Sequence, residues 1–103
     1  MIEVLNTINK LVDAYNSGQF NTEEGLRKMQ RKLTSNIYYL TKHQIDFRAK
    51  WLSEYHKFNG TNAAAEKHAD KEYPELYLCR KIIESAKGVS ISMSHELGLM
   101  KND

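Results

Sequence analysis

The sequence predicts an all-α fold: a helical hairpin or bundle of three or four helices, with a long central helix and a coiled-coil-like C-terminal helix. Three observations carry that prediction. Apolar residues recur at three- and four-residue steps, the period of a one-faced helix. No proline interrupts residues 22–58. From Leu76 onward an apolar position returns every seven residues, as in a coiled-coil seam. At 103 residues the chain has the size of one domain with a modest core, and no internal repeat or linker divides it.

The first helix is predicted over about residues 2–16, where Val4/Leu5, Ile8, Leu11/Val12 and Tyr15 keep helical spacing. The turn formers of "NSGQFNT" follow. Asn21, three residues before Glu24, has the spacing of a capping box and opens a second helix near residue 22. That helix is predicted to run to about residue 58 on one stripe: Leu26, Met29, Leu33, Ile37, Leu40, Gln44, Phe47, Trp51, Tyr55 and Phe58. Gln44 alone breaks its apolar character. A second row, Tyr38, Ile45 and Leu52, widens the apolar face and predicts contact with two neighbours.

Gly60 ends the long helix, and Thr61 or Asn62 caps a short one over about residues 63–72. Pro74 disfavours helix at Tyr73 and suits the first turn of a final helix over about 75–100. In that helix Leu76, Ile83, Ser90 and Leu97 share one heptad position, and Cys79, Ala86, Met93 and Met100 another. These eight residues are the predicted oligomerisation seam, which makes a homo-oligomer the expected state. "GVSISMS", residues 88–94, also alternates with period two, as a strand would; the heptad continuing on both sides favours helix.

Formal net charge is only +2, but residues 21–59 hold eight bases against four acids, so the positive charge is central. Lys28, Arg31, Lys32, Tyr39 and Lys42 lie off the Leu26/Leu33/Leu40 row and form a polar stripe suited to phosphates. Residues 38–58 carry six of the ten aromatic residues, and there Arg48, Lys50, Tyr55 and Lys57 set cations beside rings. Cations neutralise phosphates while rings stack on any base, so these nine residues form the candidate single-stranded nucleic-acid site. The plainer reading gives the same charges to a solvated helix face, with Glu23 and Glu24 pairing with Arg27 and Lys28 at four-residue steps.

Other chemistry finds less support. Cys79 is the only cysteine, so it has no intrachain disulfide partner and suits a reducing compartment. His68 and Glu72 sit four apart and could share an ion with His56, but the chain has no HExxH pair or acidic loop, so no metal and no cofactor is expected. Without a phosphate loop or nucleophile elbow, a non-enzymatic protein is expected. The N-terminus does not read as a signal peptide and no window reads as a membrane span, so a cytoplasmic protein without membrane contact is expected.

The stretches "FRAKWLSEYHKFNG" and "ADKEYPELYLCRKIIESAKGVSISMSHELGLMKN" resemble the small phage recombination mediators of the UvsY type over roughly residues 38–101. The resemblance rests on a basic-Ala-basic stretch with aromatics before a glycine loop, then a helical tail. It implies an oligomeric helical protein that binds single-stranded DNA and helps load a recombinase, with Arg48 and Lys50 on phosphates and the tail from Leu76 in self-association. This chain is shorter than those mediators, and the bulky Trp51 and Leu52 follow its basic pair. The expected function is therefore an accessory single-stranded-DNA-binding protein of phage-type recombination or replication, in the host cytoplasm if phage-encoded. The alternative is a protein-binding module, such as a phage assembly chaperone or a small inhibitor of a host system. A duplex-reading helix-turn-helix fits less well, because the second helix is too long for a recognition helix.

Overall fold

The computed structural model describes residues 1–101. They form four α-helices, α1 (Ile2–Asn16), α2 (Glu23–Lys57), α3 (Asn62–Glu72) and α4 (Glu75–Lys101), with no strand among the described residues. Residues 88–94 are helical. None of the described helices is long and apolar enough to cross a membrane.

Local chemistry sets each boundary. At the end of α1, Gly18 N–H donates to the Tyr15 carbonyl and Gln19 N–H to that of Ala14, the paired bonds of a Schellman stop. Gly18 sits at φ +68°, which a side chain would strain. Phe20 then folds back to stack on Tyr15, with ring centroids 5.5 Å apart. The cap of α2 is Thr22, whose hydroxyl accepts from Gly25 N–H at 2.9 Å; the expected Asn21 cap is one residue too early. Thr22 has the extended backbone an N-cap requires, and Glu23 and Glu24 then fall in the first turn, where the helix dipole favours them.

Thr61 caps α3, accepting from Ala64 N–H at 3.2 Å. A Cβ on Gly60 would come within 2.9 Å of the Phe58 ring, so this glycine lets Phe58 fold back onto His68, 5.1 Å between centroids. Tyr73 leaves helical geometry ahead of Pro74, and α4 begins one residue later.

Long-range bonds define the arrangement. Gln30 donates to the Ser90 carbonyl and the Ser94 hydroxyl, whereas Trp51 meets Asp70 and Glu54 meets His68. Residue numbers rise along α2 as they fall along its partners. The protein is thus a long antiparallel hairpin, with α2 as one arm and α3 followed by α4 as the other, and its extents are 61 × 22 × 19 Å. Helix α1 lies along the α2/α4 end, where Met1 Sδ is 3.6 Å from Cys79 Sγ and Ile8 joins the core.

That core consists of Leu26, Leu33 and Leu40 from α2 against Cys79, Ile83, Ala86, Met93 and Leu97 from α4, with Ile8 closing one side. The predicted oligomerisation seam is therefore used inside its own subunit. Leu76, Cys79, Ile83, Ala86, Met93 and Leu97 are buried within this chain, and Ser90 and Met100 are half-buried. The heptad is real, but its partner is α2. A short connection through Asn59–Gly60 presents the α2 leucines at an effective concentration that a second copy in dilute solution does not match. The second row on α2 also needs correction: Tyr38, Ile45 and Leu52 are 58, 63 and 38% exposed, so the row is not a second buried face, although Leu52 at its far end borders α3 and α4.

Candidate nucleic-acid interface

Because α1, α3 and α4 all pack on one side of α2, the opposite side of this 35-residue helix is left to solvent. Seven-residue steps arrange that outer face in adjacent rows: Lys28, Ser35 and Lys42 along its middle, Lys32 and Tyr39 on one side, and Arg31 and Tyr38 on the other. All of these residues are exposed.

The two tyrosines contact each other edge-on, with centroids 5.6 Å apart. They remain 58 and 50% exposed, and the Lys42 ammonium lies over the Tyr38 ring at 5.1 Å from its centroid. Arg31, Lys32 and Lys42 have no carboxylate within ion-pair distance among the described residues. Lys28 reaches Glu24 at 3.6 Å in an open pair that water screens. Two accessible rings are thus set among four cations, three of which have no carboxylate within ion-pair distance among the described residues.

Five of the nine predicted contact residues share this face: Lys28, Arg31, Lys32, Tyr39 and Lys42. The other four are elsewhere. Arg48 and Lys50 are two residues apart, about 200° around the helix, and do not form one clamp. Arg48 lines a cleft shared with α3 and α4, whereas the Lys50 ammonium is 5.5 Å from the Phe47 centroid. Tyr55 is half-buried and stacked on Trp51, with centroids 5.4 Å apart and planes 10° from parallel. Lys57 is 3.8 Å from Glu54.

Sequence reasoning missed two residues. Tyr38 was assigned to an apolar row because it keeps the spacing of Ile45 and Leu52; its extra 100° of rotation from the core stripe signals otherwise. Arg80 lines the same cleft as Arg48, a proximity set by the register of α4 on α2 that no local pattern reveals.

His68 Nε2 lies 3.0 Å from Glu54 Oε2, joining α3 to α2, and no group of three metal-capable side chains converges among the described residues. Glu54 occupies the heptad slot that Leu26, Leu33 and Leu40 fill further back, so His68 supplies the partner this position needs. Burial pushes the Cys79 thiol up from its ordinary value, with the nearby Glu75 carboxylate adding to the rise and the chain's amino terminus opposing it. Fully buried in the core, Cys79 packs against its apolar neighbours. Burial also raises Tyr15, aided by Glu96 and opposed by a hydrogen bond with Ser92.

No protein-family model matches this chain, and neither a curated protein nor a solved structure matches it.

Proposed function

We propose that this protein binds single-stranded nucleic acid through the outer face of α2. One observation carries the reading: Tyr38 and Tyr39 stand open to solvent beside Arg31, Lys32 and Lys42, which have no carboxylate within ion-pair distance among the described residues. An exposed ring beside a free cation is suited to a base beside its phosphate, and each stacked base contributes about 1–3 kcal/mol whatever its identity. Within that class the proposed role is accessory, in phage-type recombination or replication in the cytoplasm, as the resemblance to UvsY-type mediators implies. The role is one of binding without catalysis. Rings beside cations also favour a flexible strand, whose bases can turn out to stack, over a duplex that keeps its bases paired inside.

The test is a fluorescence-anisotropy titration of labelled single strands and duplex with the wild-type protein and with Tyr38→Ala/Tyr39→Ala. Single strands are expected to bind in preference to duplex, and the double variant to weaken that binding at least tenfold. Negligible and equal signals for both strands would overturn the reading.

A second reading, a protein-binding module, is favoured by Ile45, which is 63% exposed in line with Leu52. An Ile45→Asp substitution separates the two. It leaves strand affinity within about threefold on the first reading, and on the second it abolishes a stoichiometric complex with a partner protein.

A further inference from the structure

Where α2, α3 and α4 meet beside the Tyr73–Pro74 break there is a cleft of about 380 Å³. Its walls combine apolar surface from Leu52 and Leu76 with three kinds of group able to hold a ligand. Arg48 from α2 and Arg80 from α4 both line it and carry guanidinium groups; neither has a carboxylate within ion-pair distance among the described residues. Trp51 and Tyr77 supply rings, the first held in place by the stacked Tyr55 and by its own indole N–H donating to Asp70 Oδ1 at 2.9 Å. Glu66 and Asp70 supply acceptors.

We infer that this cleft takes a nucleotide unit, with phosphate on Arg48 and Arg80 and the base against the Trp51/Tyr77 walls. Planar guanidinium forks match phosphate oxygens in pairs. Bare phosphate alone would meet Glu66 and Asp70 as repulsive neighbours. A base bearing an exocyclic amine turns the same carboxylates into partners, as acidic side chains do for the amino group of cytosine. The cleft's volume lies within the range of small-molecule sites.

Its position deepens the proposed function and rests on that reading for the source of the nucleotide. Leu52, on the cleft wall, continues the row that begins with Tyr38 and passes through Ile45. Fourteen helical residues separate Tyr38 from Leu52, about 21 Å. A strand lying along α2 from the tyrosine pair reaches the cleft within about six stacked nucleotides at roughly 3.4 Å each.

Trp51 is the only tryptophan, so its emission reports on the cleft directly. The experiment follows Trp51 fluorescence and the anisotropy of a labelled 20-nucleotide oligodeoxycytidylate in the same titration, with free deoxycytidine monophosphate at millimolar concentration as a second probe. Wild type is compared with Arg80→Gln, a substitution at an exposed helical position, and with Tyr39→Ala. In wild type both probes are expected to quench Trp51. Arg80→Gln is expected to lose both quenches and about tenfold in oligonucleotide affinity, and Tyr39→Ala to lose oligonucleotide affinity while keeping the mononucleotide quench. Saturation by oligonucleotide with Trp51 emission unchanged, or an equal quench in Arg80→Gln, overturns the cleft and leaves the α2 face standing. Absence of oligonucleotide binding overturns the α2 face; the cleft then survives only through an Arg80-dependent quench by the mononucleotide, and falls if that is absent.

Discussion

Removing Lys32 and Lys42 together, as Lys32→Ala/Lys42→Ala, tests the electrostatics of the α2 face most directly. Lys28, Arg31, Lys32 and Lys42 are its four cations, and the tyrosine rings lie among them. Each phosphate neutralised on a single strand contributes about −0.7 to the slope of log affinity against log salt, so four contacts give about −2.8. Between about 50 and 200 mM salt, affinity is then expected to fall about fiftyfold for the wild type. With two cations left the slope is about −1.4 and the fall only about sevenfold. Both lysines are exposed and outside the core, so thermal stability is expected to stay within about 0.5 kcal/mol of wild type. The assay is anisotropy of a labelled oligonucleotide at four salt concentrations, with circular dichroism to verify the fold. An unchanged slope in the double variant, with binding intact, would refute the assignment of these lysines to phosphates.

Stability offers further checks. Leu33→Ala opens a cavity where α2 meets α4 and is expected to cost about 2–5 kcal/mol, read as a lower urea midpoint at unchanged slope. Met93→Ala, from the opposite side of the same core, is expected to cost a similar amount at a protein concentration where sedimentation finds single copies; a midpoint that rises with concentration would instead return α4 to an intermolecular seam. Thr22→Ala removes the cap of α2 and is expected to cost about 1 kcal/mol, whereas Asn21→Ala is expected to be near neutral. The Cys79 thiol sits above its ordinary value of 9.0 in the folded chain. The folded state therefore holds that proton more tightly than the unfolded one; this contribution is fully present below pH 9 and is lost as pH rises through the folded value. The urea midpoint is expected to be flat from pH 7 to pH 8.5 and to fall above pH 9, with a shallower fall in Cys79→Ala.

Legibility in the sequence followed how local the cause was. The limits of all four helices were predicted within about two residues, because caps, glycines and Pro74 act within a turn of where they stand. The leucine stripe of α2 was equally plain, since Leu26, Leu33 and Leu40 keep strict spacing. The site was legible only in part. Lys28, Arg31, Lys32, Tyr39 and Lys42 were placed on one outer stripe by periodicity alone. Arg48 and Lys50, separated in the chain only by Ala49, read as a pair although a helix turns them to nearly opposite sides.

The sequence by itself determined that this chain is helical, where each helix starts and stops, and which stripe of each must leave water, because these follow from backbone chemistry and hydrophobic periodicity within short windows. Only the tertiary structure decided which stripe meets which. A heptad specifies that a partner is needed and says nothing of whose, and the short loop between α2 and α3 made the partner the chain's own leucines. The same pairing turned Tyr38 and Tyr39 outward and brought Arg80 to Arg48 across 32 positions of sequence, an approach that depends on the register of two packed helices.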